Sequence, residues 1–538
     1  MRANLASSIA VSCAAVLALP LTAATPAGAT GAFPAAPGAA SAARAVPAAA
    51  EPAGSTQSLP LEPLAPAVDG PRDRVLGSAA AAGQGLARQD VRPFSLVGVV
   101  WDDVHASLRG TVQVRTRSTV GGVWSDWQPV ETHNDEHGAD PGTAEGRSRA
   151  LRGSTAPLWV GDSDGVEIRV RPEAGGPGED VREGATADGH APERAVPDGD
   201  AQDGLAPDKR LPEAAVPDGH ARDGRAPDEH GPETAVPDGH APEDAVPQRT
   251  RRAPAPLPAG LRLELVDPGP EPPVTETQDR TVPAAGAQAV QSAQGAHPAQ
   301  AAPAAPAAPA APAALPALTR AETLATLPGG AAAAKPFIGP RPRIITRKGW
   351  GADERLREKG FVYTKTIKAA FVHHTATGNR YTCRQAPSVL RSIYRYHVKS
   401  SGWRDFGYNF AVDKCGNIYE GRAGGVAKPV MGAHTLGFNT NSMGIAVLGS
   451  YGGTTPPAAA VTAVARLTAW KLGLYGVNPT AKTYLTSGGG NLYKKGRKVR
   501  FNAIAGHRDG FATECPGARL YGKLGTARSA SAKYQGRR

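Results

Sequence analysis

Four short motifs in the last third of the chain carry the side chains best suited to chemistry. They supply histidines and one cysteine, and imidazole nitrogen and thiolate sulfur are ligands that zinc prefers in proteins. Two histidines and a cysteine would leave the fourth tetrahedral position to water, as in hydrolytic zinc sites. A closed structural site would need a fourth cysteine or histidine at short spacing, and none is available, so we expect a catalytic site. The motifs are Phe371–Thr377 (FVHHTAT), Gly407–Phe410 (GYNF), Gly506–Asp509 (GHRD) and Thr513–Gly517 (TECPG).

The amino terminus has the pattern of a secretory signal peptide over residues 1–29. A positive charge at Arg2 precedes an apolar run from Ile9 to Leu21, and the small residues Ala27, Gly28 and Ala29 follow. The run is too short for a membrane span, and nothing later in the sequence reaches that length. We therefore expect a protein that is secreted, extracellular or associated with the cell wall.

Three cysteines remain once Cys13 leaves with the signal peptide, namely Cys383, Cys415 and Cys515. An odd number in a secreted protein usually means that two pair and the third has another role. If Cys515 binds zinc, Cys383 and Cys415 can form a disulfide bond, which the extracellular compartment allows. The alternative is two unpaired, buried thiols.

Charge is unevenly distributed along the chain. Residues 341–538 carry about +25, so the total of +11 leaves about −14 for everything before them. A basic carboxyl-terminal half would suit either nucleic acid or an anionic wall polymer. The densest cluster, Lys494–Arg500, is equally consistent with a solvated loop. The signal peptide favours the wall polymer, and we expect no nucleic-acid partner.

The amino-terminal half is expected to contain one folded unit among disordered segments. Residues 30–91 are rich in alanine and proline without periodicity and are expected to be disordered. Alternating apolar residues predict an all-β accessory domain over 92–267. Within it, a repeat with a period of 20 residues lacks apolar bulk, so 173–257 is expected to be a disordered insertion. The strand Leu261–Val266 then pairs back with the sheet, and an extended Ala/Pro linker covers 268–340.

Two tryptophans, Trp124 and Trp127, lie in a segment that is expected to form a further strand of the all-β domain. Packing into the core is the expected role for both rings. Stacking against a sugar is the alternative.

Residues 341–530 have the composition of a globular domain, and strands and helices alternate along it. This pattern predicts an α/β fold with a central mixed sheet flanked by helices, with the histidines at strand ends. The expected elements are a buried strand Ala369–His374, a helix with Pro387 in its first turn, a hairpin around Asp413–Asn417, a buried strand Met443–Gly449, a helix from Pro457 to about Leu474 and a strand Asn502–Ala505.

Seven motifs in this part of the chain, in the same order, resemble the peptidoglycan recognition protein and type 2 N-acetylmuramoyl-L-alanine amidase family. The resemblance covers about residues 343 to 525, and the preceding β-domain is weakly similar to an accessory region of secreted actinobacterial amidases. The motifs are Val372–Thr375, Gly402–Phe410, Tyr419–Arg422, Gly432–His434, Asn441–Ala446, Gly506–Asp509 and Thr513–Gly517.

The resemblance implies a metal site and assigns its ligands. His373, His507 and Cys515 match the three zinc ligands of the family. His374, the second histidine of its pair, matches a position that does not bind the metal, and we place it with the substrate-binding residues.

The resemblance also implies catalytic and groove residues. Tyr408 matches the catalytic tyrosine, and Thr513 lies where amidase-active members carry a threonine. A phenol and a hydroxyl beside the metal can donate hydrogen bonds to the oxyanion that forms during amide hydrolysis. His434 matches a histidine that lines the substrate groove. For these three residues a structural role remains the alternative.

The resemblance also implies a preference for one residue at the third position of the peptidoglycan stem peptide. Gly402–Trp403 and Arg422 occupy positions that, in the family, accompany a preference for diaminopimelate over lysine. Diaminopimelate has one more carboxylate than lysine, and a guanidinium can pair with it through two hydrogen bonds. Trp403 would offer a flat apolar wall to the stem peptide. The alternative is that Arg422 is a solvated hairpin residue.

The resemblance therefore implies a secreted zinc amidase that cleaves the bond between muramic acid and L-alanine in peptidoglycan. The competing function is a recognition protein that binds peptidoglycan without cutting it. Because members that only bind typically lack the cysteine ligand, Cys515 favours the enzyme.

Overall fold

The computed structural model describes residues 54–64, 83–132, 134, 137–173, 255–271, 312–327 and 337–538. The expected signal peptide and most of the expected insertion and linker lie outside these residues. None of the described helices is long and apolar enough to cross a membrane. All described residues belong to one compact unit that spans Pro52–Arg538.

The amino-terminal part is an eight-stranded antiparallel sheet with the order β1-β8-β3-β7-β4-β5, in which β2 and β6 also pair with β3. Its central strand β3 is buried on both faces over Phe94–Trp101, which explains why the run is continuously apolar rather than alternating. The strands are β1 Ser55–Pro60, β2 Glu62–Pro63, β3 Gln84–Trp101, β4 Gly110–Ser118, β5 Gln128–Val130, β6 Gly153–Ser154, β7 Leu158–Pro172 and β8 Arg262–Asp267.

The carboxyl-terminal part is built on a mixed seven-stranded sheet with the order β17-β11-β14-β12-β13-β10-β9, beside a separate two-stranded hairpin of β15 and β16. Its strands are β9 Ala314–Leu315, β10 Ile344–Ile345, β11 Ala369–His374, β12 Phe410–Val412, β13 Ile418–Glu420, β14 Ser442–Val447, β15 Lys482–Thr486, β16 Lys498–Asn502 and β17 Ile504–Gly506. Its α-helices are α1 Arg320–Ala325, α2 Ala386–Arg395, α3 Ala458–Leu474, α4 Ala518–Tyr521 and α5 Leu524–Tyr534. The predicted fold class, an α/β domain with a mixed sheet after an all-β domain, is confirmed.

Three domain boundaries differ from those that composition suggested. Residues 30–91 are not disordered throughout, because β1 and the start of β3 lie among them and β1 pairs with β8 along its whole length. The linker 268–340 is likewise interrupted, since β9 adds an edge strand to the second sheet and α1 follows it. The second domain continues past residue 530, because α5 packs against α3 up to Tyr534.

Trp124 and Trp127 are half-buried rather than core residues. The guanidinium of Arg169 lies 4.0 Å from the centre of the Trp127 ring, and that of Arg88 lies 4.8 Å from Trp124. The strand expected here also begins later, at Gln128, with only an isolated bridge between Trp124 and Arg117. Arginine side chains therefore occupy the ring faces that sugar stacking would need.

The two sheets share an apolar core through helix α2. Leu96 and Val100 of β3 pack with Trp159 and Val266 against the α2 residues Val389, Leu390 and Ile393. The phenol of Tyr396, fully buried just after α2, donates to the carbonyls of Val99 and Thr155 at 3.2 and 3.1 Å. Because the shared core and these hydrogen bonds are buried, the β-domain and the α/β domain form one folded unit.

Candidate metal centre

Four side chains converge at one edge of the second sheet. They are His373, His507, Cys515 and His137, and one ligand atom from each lies within 4.8 Å of all the others. All four residues are buried. The first three match the ligands assigned from the sequence, whereas His137 comes from the β-domain.

Parallel strand pairing explains why two of these histidines meet. β11 pairs in parallel with β17, with Val372 opposite Gly506. His373 directly follows Val372 and His507 directly follows Gly506, so both histidines lie at the carboxyl edge of the sheet. Their ring centres are 4.5 Å apart. The loop after His507 returns so that the Arg508 amide donates to the Cys515 carbonyl at 3.0 Å, which holds the thiol over the histidines.

The spacing of the ligand atoms fits a tetrahedral zinc ion. Cys515 Sγ lies 3.8 Å from His373 Nδ1 and 4.0 Å from His137 Nε2. Zinc bonds of about 2.3 Å to sulfur and about 2.1 Å to nitrogen would separate two tetrahedral ligands by about 3.6 Å. These two spacings therefore need to close by only a few tenths of an ångström, and no pair of ligand atoms in the group is more than 4.8 Å apart. A thiol and three imidazoles are also the donor types that suit zinc.

Two histidines of this site, His137 and His373, are held in the neutral form that binds metals. Burial lowers the pKa of His137 to about 3, with a smaller contribution from His374. Burial also lowers the pKa of His373 well below its ordinary value, and the neighbouring His507 adds to the effect. Outside the ligand group, burial lowers the pKa of His374 to about 4.

Two further residues, Thr435 and His434, contact the His373 ring on the side that faces away from Cys515. The hydroxyl of Thr435 lies 3.4 Å from His373 Nε2, the nitrogen that faces away from Cys515. The same hydroxyl lies 3.0 Å from His434 Nδ1. Such contacts to the outer nitrogen fix the ring orientation and tautomer of a metal-binding histidine. His434 is fully buried and packs its ring 5.3 Å from that of His373, so the structure places it behind the ligand.

The two residues assigned to catalysis lie beside the ligand group. The rings of Tyr408 and His373 are 5.2 Å apart, and Thr513 Oγ1 accepts a hydrogen bond from the Cys515 amide at 3.1 Å. Both line a cavity of about 20 Å³ together with His137, His374 and Cys515. A space of this size holds about one water molecule. His374 is not one of the four converging residues, and its Nδ1 accepts a hydrogen bond from the Tyr451 amide at 3.2 Å.

Sequence reasoning did not find His137, because it expected no fourth cysteine or histidine at short spacing and His137 joins the group from a distant part of the chain. The residue is 378 positions from Cys515, and short spacing was the only signal considered. Its ring centre lies 4.6 Å from that of His507 and 5.8 Å from that of Tyr408. The fold of the β-domain brings it within reach of the three ligands assigned from the sequence.

The residues assigned to diaminopimelate recognition are buried under the same part of the β-domain. Arg422 makes a bidentate pair with Glu145, with distances of 2.8 Å from Nη1 to Oε2 and 2.9 Å from Nη2 to Oε1. The alternative of a solvated hairpin residue is therefore wrong, because Arg422 is only 8% exposed. Trp403 is buried and stacks on His397 with ring centres 4.3 Å apart.

Cys383 and Cys415 are joined by a disulfide bond, with a Cα–Cα distance of 6.2 Å. The bond ties the start of the segment that leads into α2 to the hairpin between β12 and β13. It lies apart from the ligand group.

The fold and the site together define an α/β protein with a buried histidine and cysteine ligand group at one sheet edge. A family described as N-acetylmuramoyl-L-alanine amidase matches residues 363–518. A second family, described as Rv3811 N-terminal galactose-binding domain-like, matches residues 42–197.

Individual relatives agree with this class. Peptidoglycan-recognition protein SC2 of Drosophila melanogaster is 32% identical over 183 residues, which are 34% of this chain and 85% of the relative. A human N-acetylmuramoyl-L-alanine amidase is 31% identical over 194 residues, 35% of this chain and 29% of the relative. The solved structure of Drosophila PGRP-LB has 26% identity, covers 34% of this chain and 93% of its own, and gives a TM-score of 0.28. The chain belongs to the family of peptidoglycan recognition proteins and N-acetylmuramoyl-L-alanine amidases.

Proposed function

We propose that this protein is a secreted, zinc-dependent N-acetylmuramoyl-L-alanine amidase that hydrolyses the amide between muramic acid and L-alanine in peptidoglycan. The observation that carries the proposal is the convergence of His373, His507 and Cys515 with Tyr408 and Thr513 beside them. Membership of a family that includes such an amidase supports the substrate class.

His373, His507 and Cys515 would hold the zinc. When bound, zinc supplies a Lewis acid that polarises the scissile carbonyl and lowers the pKa of a water toward about 7. The phenol of Tyr408 and the hydroxyl of Thr513 would donate hydrogen bonds to the carbonyl oxygen as negative charge develops on it. Each such donor typically contributes about 3–4 kcal/mol to transition-state stabilisation.

The peptide specificity that we propose is for diaminopimelate at the third stem position. A guanidinium held in place can bind an extra carboxylate through two parallel hydrogen bonds. The pair of Arg422 with the Glu145 carboxylate supports this assignment, since it demonstrates that the guanidinium is oriented for bidentate binding. Anionic wall polymers are a further proposed partner of the basic half of the chain.

A non-catalytic peptidoglycan-binding function is the second candidate, and His137 is the observation that favours it. A fourth protein ligand leaves no coordination position for substrate in this arrangement.

Zinc analysis of the purified full chain, combined with release of free muramyl ends from sacculi, tests the proposal. We expect about one zinc per chain and release that is absent in Cys515→Ser. Peptidoglycan binding with one zinc per chain and no release from any form of the protein would reject the amidase.

A further inference from the structure

Residues 137–152, which we call the covering segment, run across the α/β domain from the ligand group to Arg422. These residues make specific hydrogen bonds to the α/β domain. Asp140 accepts from the Gly437 amide at 2.8 Å and from the Asn439 side chain at 2.7 Å. Asn439 also donates to the Gly138 carbonyl at 2.8 Å.

The segment continues to the residues assigned to the stem peptide. Glu145 binds Arg422 and also accepts from the Arg404 amide at 3.2 Å. Further along, the Ala150 carbonyl approaches Gly402 so closely that a Cβ there would clash, and Gly402 has a φ of +77°. The Arg152 amide donates to the Ser401 carbonyl at 3.2 Å.

We propose that the covering segment is a built-in occupant of the amidase site, with His137 as the fourth ligand of the metal group and Glu145 in the place of the third-residue carboxylate of the substrate. The inference rests on the proposed function, because it uses the substrate assigned there. The protein as folded is then a latent form, and the covering segment must leave before a stem peptide can bind.

The chemistry of the two anchor points supports one occupant that resembles substrate. At one end, an imidazole takes the position that water needs for hydrolysis. At the other end, a carboxylate makes the bidentate pair that a guanidinium would make with diaminopimelate. Only about 20 Å³ remains free beside the ligand group, which is far too little for a peptide.

The occupant is attached to the same chain, so a substrate must compete with an intramolecular ligand. Binding to a protein whose competent state is rare is weakened by the fraction that is competent. Weakening either anchor should therefore strengthen binding of a stem peptide. Another groove of about 700 Å³, lined by Trp127, Trp159 and Asn379, lies open between the domains, and binding there would be the alternative that leaves the covering segment in place.

The first test probes His137 without using activity. Cobalt replaces zinc in the full-length wild type, in His137→Ala and in His105→Ala, an exposed histidine of the same domain. Acetohydroxamate is then added and the visible absorption of cobalt is followed. We expect no change in the wild type or in His105→Ala and a clear change in His137→Ala. An equal change in all three proteins would overturn His137 as a ligand.

The second test probes Glu145 by binding. Glu145→Gln keeps the shape of the side chain and removes its charge, and calorimetry measures binding of two muropeptides that differ only at the third residue. We expect the diaminopimelate muropeptide to bind Glu145→Gln at least about tenfold more tightly than wild type, with a smaller gain for the lysine muropeptide. Unchanged affinity for both would overturn the proposal and favour entry through the open groove.

Mass spectrometry of the same mixtures separates this inference from the proposed function. Tighter binding with faster hydrolysis in His137→Ala and Glu145→Gln supports both. Tighter binding without hydrolysis supports the covering segment and rejects the amidase. Wild-type binding and hydrolysis that equal those of the variants reject the covering segment and leave the amidase standing. Neither binding nor hydrolysis in any form rejects both.

Discussion

Removal of the charge of Glu145 should loosen the covering segment far more than removal of an exposed carboxylate elsewhere. Glu145 and Arg422 are 3% and 8% exposed, and they share two short hydrogen bonds. Burial alone raises the pKa of Glu145, but the charge and hydrogen bonds of Arg422 outweigh it, so the pKa lies below its ordinary value. The carboxylate is therefore ionised and leaves a buried guanidinium without a counter-charge when it is replaced.

The magnitude follows from the burial of the pair. Breaking a buried ion pair by removing one partner costs about 3–5 kcal/mol, whereas an exposed pair contributes about 0–1 kcal/mol. Release of the segment into water hydrates Arg422 again, so the cost appears in the free energy of local opening. A change of 3–5 kcal/mol corresponds to about 10²–10⁴-fold faster exchange of amides that open with the segment.

Hydrogen exchange of the full chain, read on peptides from 137–152, measures this opening. Several amides there are bonded within the segment or to Ser401, so their exchange reports on it. Asp90→Asn is the control, because Asp90 is 83% exposed and pairs with the partly exposed Arg117. We expect faster exchange in Glu145→Gln than in wild type, and an unchanged exchange rate in the control. Equal exchange rates in Glu145→Gln and wild type would refute the reasoning.

The same pair predicts a dependence on pH. Because the pKa of Glu145 is lower in the folded protein than in the unfolded chain, the unfolded chain binds more protons at acidic pH. The stabilisation by the pair is thus present above the unfolded pKa and is lost as pH falls through the folded pKa.

Further predictions concern the ligand group, the core and the repeat. Cys515→Ser should abolish hydrolysis and lower zinc content while leaving substrate binding within about tenfold, because a hydroxyl is a much weaker zinc ligand than a thiolate; full turnover with normal zinc would contradict this. Burial lowers the pKa of Lys471 to about 7 from 10.5, so the unfolded chain binds more protons between these values and this residue makes stability rise with pH there. In denaturant unfolding, the free energy of unfolding of wild type relative to Lys471→Met should therefore rise by up to about 1.4 kcal/mol per pH unit between pH 7 and 9. A difference between the two proteins that does not change with pH would refute the lowered pKa of Lys471. Deletion of 180–250 should leave the unit folded and change its stability by no more than about 1–2 kcal/mol, since loop entropy depends weakly on length; loss of cooperative unfolding would count against it.

The sequence was sufficient to predict the α/β domain and three of the four converging ligand residues, because the two histidine motifs lie at strand ends and the Cys515 motif follows in family order. His373 follows four buried residues of β11, and the short strand β17 precedes His507. Parallel pairing of such strands brings their ends to one edge, and the motif order matched a family that uses this geometry.

The fourth residue and the contacts across the domains could not be found in this way. Nothing near His137 in the sequence marks it as a ligand, and the neighbouring Asp140 is held against the α/β domain by hydrogen bonds from Gly437 and Asn439. The strand β1 was missed because it is short and surrounded by alanine and proline, and only its pairing with β8 makes it a strand. The doubly buried run Phe94–Trp101 was the one signal that a second surface covers the β-domain.

Incubation of one defined disaccharide-peptide carrying diaminopimelate with the full-length His137→Ala protein and zinc tests the central claim most directly. Mass spectrometry of the mixture identifies the bond that breaks. The account predicts two products, the disaccharide with a free lactyl carboxylate and the intact stem peptide. Their masses add up to the substrate plus one water. The double variant His137→Ala/Cys515→Ser should form neither product. Intact substrate, or cleavage at any other bond, would contradict it.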